Sequence, residues 1–384
     1  MYILSIIVSK ITYKIIKLLK IGSGYTWPGH IILETFPKTL EIIKKKLPDK
    51  VVVVSGTNGK TTTVKLIKHI FEKEGLRVLS NETGANLVNG VVSTVLLNSN
   101  LKGELPYDIV VFELDELNLA DLLEEVTPDV LALLNLSRDQ LDRYWEKEVI
   151  LEKWKEAVLN MSSDTLLVLD KTQKQFEYIS KEFSGDIKYF GESKEYSENT
   201  KLLGAFNAKN INCALLIANE LGVSKGKASV SLSDFEYAYG RGEDFSYKSK
   251  DFKILLAKNP ESLNQNLRML IEERLEYDAL LYILNDNIPD GKDVSWIFDV
   301  DPTLVEKASK GGQTKVFVSG VRDLDMAIRL QYAGVKVPQE SIDSSLKSIV
   351  SKIVSKDDIK KVIVLPNYSA MLDFRKEVLG KKIL

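Results

Sequence analysis

The stretch "VVVVSGTNGKTTTVKLIKHIFEKEG", Val51 to Gly75, constrains this chain more than any other. Four consecutive valines read as a short strand buried on both faces. After the loop, Val64, Ile67, Ile70 and Phe71 recur on one helical face, and Gly75 supplies a C-terminal cap. Between the two elements, Gly56 and Gly59 let the backbone turn tightly and bring N–H groups toward an anion. The helix that follows aims its positive end at the same point. Lys60 can reach terminal phosphates, and the Thr61 hydroxyl can ligate Mg²⁺. Strand, glycine loop, Gly-Lys-Thr and helix together point to nucleotide binding. The spacing is compressed: only Thr57 and Asn58 separate Gly56 from Gly59, where the common phosphate loop has a longer spacer.

The same strand–helix alternation continues downstream. Strand-like runs occur at "RVLSN", "DIVVFEL", "DVLALLNL", "TLLVLD" and "IKYFG", with helical stretches between several of them and a helix at "NAKNINCALLIANELG". This predicts an α/β fold with a mostly parallel sheet covered by helices. The pattern then restarts. "DFKILLAKNP", "ALLYILNDN", "KVFVSGV" and "KVIVLPNY" read as strands, and "ESLNQNLRMLIEERLE", "DLDMAIRLQYAG" and "SAMLDFRKEVLG" as helices. The chain has 384 residues, too many for one ordinary core. The expected division is a lead-in over 1–48, an ATP-binding α/β domain over 49–228 and a second, Rossmann-like α/β domain over 229–384. "FSYKSKDF", residues 245–252, is expected to connect the two units.

Composition narrows the function classes. The formal net charge is -2, so bulk electrostatics favour no nucleic-acid partner. One cysteine, Cys213, and two histidines, His30 and His69, exclude an internal disulfide framework and a zinc site built from Cys and His. A cytoplasmic location is expected. The N-terminal "MYILSIIVSKITYKIIKLLKIGSG" is apolar but carries Lys10, Lys14, Lys17 and Lys20 at helical spacing, with no small-residue cleavage site. It reads as an amphipathic helix. Its apolar face either docks on the protein or lies on the inner face of a membrane with snorkelling lysines.

A nucleotide-bound magnesium ion needs oxygen ligands at the ends of neighbouring strands. "VVFELDE" offers Glu113, Asp115 and Glu116 at such an end. Glu113 directly follows a buried-looking run and should pair with a metal or a cation. Asp115 and Glu116 read as a solvated strand end. "LNLSRDQLDRY" concentrates Asn135, Arg138, Asp139, Gln140, Asp142 and Arg143 at another strand end. It is either a catalytic loop or a helix start with paired charges.

"SGTNGKTTT" resembles the ATP loop of the Mur ligase superfamily, whose enzymes phosphorylate a carboxylate and let an amine displace the phosphate. "NETGANLVNG", "FELDE", "LNLSRDQLDRY", "GRGE", "AKNP", "LNDNIPDGKDVSWIFDVD", "VSGVRDLDMAIRLQYAGV" and "LPNYSAML" extend the resemblance over nearly the whole chain, toward the MurT-like family. That resemblance implies a Mur-ligase-type ATPase domain and the ATP-using subunit of lipid II isoglutaminyl synthase. Such proteins amidate the α-carboxylate of D-glutamate in lipid II with ammonia from a separate GatD glutaminase subunit. It further implies ATP contacts from Gly56, Thr57, Asn58, Gly59, Lys60, Thr61 and Thr62, with Mg²⁺ at Thr61 and Glu113. Asn207 would lie near the base, Arg241 near the phosphates, and Lys258 and Asn259 where the second domain meets ATP. Lys60, Glu113, Arg241 and Asp293 would be the catalytic set, with Asp293 completing the partner's Cys-His site.

Three departures accompany the resemblance. Gln140 stands where the amino-acid ligases have histidine. Lys155 lies near the spacing of their carbamylated lysine but reads as an ordinary exposed helix lysine. The zinc ribbon of many MurT proteins is absent, since "FGESKEYSENTKLLGAFN" is short and cysteine-free, so no zinc is expected. Thiol-dependent glutamine hydrolysis needs a cysteine beside a histidine. Cys213 sits among apolar residues at helical spacing, and neither His30 nor His69 is a credible partner for it. Ammonia would therefore come from a second polypeptide. From residue chemistry alone, Asp293 in the turn-forming stretch "NDNIPDGKD" reads as a turn cap, and only the resemblance assigns it a catalytic role. The alternative activity is that of a Mur-type or folylpolyglutamate-type amino-acid ligase.

Overall fold

The computed structural model describes residues 1–19, 24–81, 84–137, 147–193, 200–237 and 240–380. Two sheets organise the chain. The first holds β1 (Val51–Ser55), β2 (Val78–Ser80), β3 (Ile109–Leu114), β4 (Val130–Leu133), β5 (Leu166–Asp170) and β6 (Ile187–Phe190). Their order is β2-β3-β1-β4-β5-β6, and every pairing is parallel. Strand alternation feeds two cores. Val51, Val53, Val110, Phe112, Leu131 and Leu133 face one helical layer. Val52, Val54, Ile109, Val111, Val130 and Ala132 face the other. Burial on both faces is why these strands are continuous apolar runs.

The helix Lys60–Lys73 buries Val64, Ile67, Ile70 and Phe71, the face expected from their spacing, and packs beside the helix Ala205–Glu220. On the opposite side, the helices Tyr2–Leu19, Trp27–Thr35 and Thr39–Lys44 pack near the helix Val88–Asn98, burying Ile6, Ile32 and Ile43. The chain past Ser229 still packs on this first unit, since Leu232 and Phe235 lie in the core under the helix Lys60–Lys73.

The second sheet contains β7 (Arg241–Tyr247), β8 (Lys250–Leu255), β9 (Ala279–Ile283), β10 (Lys315–Ser319) and β11 (Lys361–Pro366). Its order is β10-β9-β11-β8-β7, parallel except for β7, which runs antiparallel to β8. Residues 245–252, expected to connect the two units, instead form the tip of the β7–β8 hairpin. Lys248 and Ser249 hold the turn with φ of 45° and 62°. Two consecutive positive φ values are the signature of a tight hairpin. Lys-Ser lacks the Asn-Gly chemistry that usually announces one, so the turn is silent in the sequence.

Candidate active site

The phosphate loop leaves the carboxyl end of β1 and is clamped from the end of β4. Thr57 N–H donates to the Asn135 carbonyl at 2.9 Å. Asn58 N–H donates to Asn135 Oδ1 at 2.9 Å, and Asn135 Nδ2 donates back to the Asn58 carbonyl at 2.8 Å. The two glycines are required by this packing. Gly56 has φ of 139°, and a Cβ there would lie 2.9 Å from the Asn135 carbonyl oxygen. Gly59 has φ of 91° and immediately precedes the helix that Lys60 begins.

Lys60 is buried. Its ammonium donates to the carbonyls of Gly56 and Thr57 and pairs with Glu116 at 2.9 Å. Burial alone would push this ammonium down, but Glu116, Glu113 and Asp115 together hold it above its ordinary value. Lys60 therefore stays charged where a phosphate would sit. The structure corrects the reading of Glu116 as a solvated strand end. It is 2% exposed, and Trp154 Nε1 donates to its carbonyl at 2.8 Å. The carboxylate tolerates burial because Lys60 pairs with it.

Glu113 is buried at the end of β3 and shares a hollow with Thr61 and Asn81. Asn81 fixes the backbone there: its Oδ1 accepts Glu113 N–H and its Nδ2 donates to the Glu113 carbonyl, both at 2.8 Å. Among the described residues, no group of three or more His, Cys, Asp or Glu side chains forms a metal cluster. One hydroxyl and one carboxylate nevertheless fit Mg²⁺, which keeps several waters and takes phosphate oxygens as further ligands.

The second sheet completes the site. Arg241 begins β7 beside a register irregularity, and its guanidinium donates to Thr61 Oγ1 at 3.3 Å. Burial lowers the Arg241 pKa, against the opposing pull of Glu113 and Tyr368. Asn259 meets Asn58 through side-chain amides at 3.3 and 3.5 Å while capping the helix Pro260–Glu272 through Ser262 N–H. Lys258 is half-buried beside it. Between the two units lies a cleft. Asn58, Gly59, Thr62 and Arg241 line it. Leu203, Phe206, Leu256 and Met269, with the amides of Asn207, Gln265 and Asn266, also line it. Apolar walls with a few amide groups suit a purine base.

The structure thus brings Lys60, Thr61, Glu113 and Arg241 to one centre, with Thr62, Asn207 and Asn259 around it. Asp293 stands apart in the loop after β9, where its Oδ1 accepts Ser295 N–H at 2.8 Å and that contact holds its pKa low. Lys155 is not an ordinary exposed lysine: it lies 4.0 Å from the centroid of the Tyr178 ring and pairs with Glu182 at 3.1 Å. Arg138, Asp139, Gln140, Asp142 and Arg143 lie outside the described residues. Cys213 is fully buried, and burial pushes its thiol far up.

Residue patterns did not single out two further groups. Asn210 follows Asn207 by one helical turn and approaches Gly59, where an added Cβ would meet its Oδ1 at 2.5 Å. Tyr368, after β11, feels the charges of Arg241 and Glu113 from the second unit. The helical spacing of Asn207 and Asn210 was a usable signal; Tyr368 lies within "LPNYSAML", but nothing in its residue chemistry marks it.

The chain is similar to known proteins in sequence and in fold. Residues 54–198 match the Mur ligase middle domain family, and residues 256–371 match the MurT ligase C-terminal family. The chain is 27% identical to the MurT subunit of lipid II isoglutaminyl synthase (glutamine-hydrolyzing) from Staphylococcus aureus strain N315, over 91% of each chain. It is 26% identical to the Streptococcus pneumoniae R6 protein of the same description, over 95% of this chain and 94% of that one. In fold it resembles MurF ligase from Thermotoga maritima in complex with ADP, with TM-score 0.67 and 17% identity over 91% of this chain and 84% of that one. It also resembles folylpolyglutamate synthase from Mycobacterium tuberculosis, with TM-score 0.63 and 14% identity over 98% of this chain and 99% of that one.

Proposed function

We infer that this chain, which belongs to the Mur ligase superfamily and carries a MurT-type C-terminal domain, is the ATP-using subunit of a lipid II amidotransferase. The observation that carries the reading is the convergence of Lys60, Thr61 and Glu113 from one unit with Arg241 from the other. That arrangement suits transfer of a phosphoryl group at a domain junction. The acceptor is the α-carboxylate of D-glutamate in lipid II. Phosphorylation makes it an acyl phosphate, and ammonia displaces the phosphate to give D-isoglutamine.

The residues divide the work. Lys60 and Arg241 neutralise charge on the transferring group from opposite units. Glu116 holds Lys60 when no phosphate is present. Thr61 and Glu113 would hold Mg²⁺, which would supply positive charge to offset that of the phosphates. Gly56, Thr57, Asn58, Gly59 and Thr62 cradle phosphates, while Asn207, Lys258 and Asn259 contact the rest of ATP. The cleft must exclude water, because water would hydrolyse the acyl phosphate. Closure of the second unit over the first would achieve this.

Ammonia comes from a GatD-like glutaminase subunit, since the one thiol is buried and its pKa is raised. Asp293, half-buried on the second unit, would orient the partner's histidine. The test is a reaction with lipid II, ATP and Mg²⁺, read by mass spectrometry of the stem peptide. Glutamine plus glutaminase, ammonium alone and free amino acids form its three arms. A mass change of amidation in the first two supports the reading; addition of an amino acid would replace it with an amino-acid ligase. Asp293→Asn should abolish the glutamine arm and spare the ammonium arm, and loss of both would remove its proposed role.

A further inference from the structure

The helix Tyr2–Leu19 has two apolar faces, and only one is used. Tyr2, Ser5, Ile6 and Ser9 turn inward and are buried. On the opposite side, Leu4, Ile7, Ile11, Ile15 and Leu18 follow one another at three- and four-residue spacing and are 49%, 39%, 52%, 49% and 82% exposed. A helix that only docks on its own protein shows polar residues outward. This one shows an unbroken aliphatic stripe along its full length.

We propose that this outward face binds the surface of an anionic lipid bilayer. Lys10, Lys14 and Lys17 lie along one flank of the stripe, Lys14 and Lys17 exposed, and the helix carries no carboxylate. The sequence has no Asp or Glu before Glu34. An aliphatic stripe flanked on one side by lysines, with no other charge on the helix, fits the boundary between acyl chains and negative headgroups, with the ammonium groups reaching up to phosphates. No described helix is long and apolar enough to cross a membrane, so the helix lies flat. A second copy is the weaker occupant, because pairing two such faces would bring three lysines from each side together without a counter-charge. The proposal stands on this face alone. It says where a lipid-linked acceptor would be met, but amidation can fail while the surface binding holds, and the reverse.

The test is sedimentation of the full chain with vesicles of phosphatidylcholine, with or without phosphatidylglycerol. The wild-type chain should sediment with the anionic vesicles, and added salt should weaken binding. Ile7→Glu/Ile11→Glu/Ile15→Glu should reduce binding to background. Lys14→Gln/Lys17→Gln should weaken anionic binding by about 25-fold, at about fivefold per lysine. All five side chains are exposed, so circular dichroism and nucleotide affinity should be unchanged. Absence of vesicle binding overturns the proposal, as does equal binding by wild type and the triple variant. So does a dimer, or a complex with the glutaminase, that the triple variant dissolves while neither form binds vesicles.

Discussion

Glu116→Gln is the most informative single change. The wild-type carboxylate is 2.9 Å from Lys60 Nζ, with the side chains 2% and 6% exposed. Removing one partner of a buried pair costs about 3–5 kcal/mol. Here Glu113 and Asp115 still act on Lys60, and the Gly56 and Thr57 carbonyls still accept its protons. The expected loss therefore falls just below that range, at about 2–3 kcal/mol. For a unit of this size that corresponds to roughly 5–10 °C in Tm. Glutamine keeps the volume, so the loss is electrostatic and not a cavity. ATP phosphates would restore a negative partner to Lys60. Thermal unfolding of wild type and variant, each with and without saturating MgATP, measures this. The Tm gap should shrink to under about 3 °C with nucleotide. An equal gap in both conditions, or no gap without nucleotide, would refute the idea that Glu116 stands in for phosphate.

Two other outcomes test the site directly. Gly56→Ala forces a Cβ toward the Asn135 carbonyl at a φ of 139° and should weaken nucleotide binding by about tenfold or more, from ~1–3 kcal/mol of strain, measured by calorimetric titration. Cys213, buried with a raised pKa, should resist a thiol reagent at pH 8 in the folded protein and react promptly after denaturation; fast labelling of the folded chain would reopen the question of an internal glutaminase.

Much of the framework was readable because its signals are local. The valine run, the loop glycines and the apolar spacing through Phe71 each sit within a few residues of one another, and so do the strand runs of both sheets. What escaped depends on contacts between distant residues. Glu116 looks solvated until Trp154 and Lys60 close over it. Tyr368 gains meaning only because the second unit carries it toward Arg241 and Glu113. The hairpin at residues 245–252 was hidden for a local reason, since Lys248 and Ser249 adopt a turn conformation that their side chains do not favour. The N-terminal helix was read as having one apolar face, whereas its lysines occupy a flank and leave a second aliphatic stripe outward.

The clamp on the phosphate loop also bears on the order of events during synthesis. Asn58 and Asn135 are 77 positions apart, and their reciprocal hydrogen bonds hold the loop open for an anion. The strand–loop–helix segment alone lacks that support, so it should not capture nucleotide as it emerges from the ribosome. Competence arrives when β4 pairs with β1, a long-range closure that forms late compared with local helices. A fluorescent nucleotide added to a series of stalled chains would therefore act as a clock for that pairing, silent until Asn135 has cleared the exit tunnel.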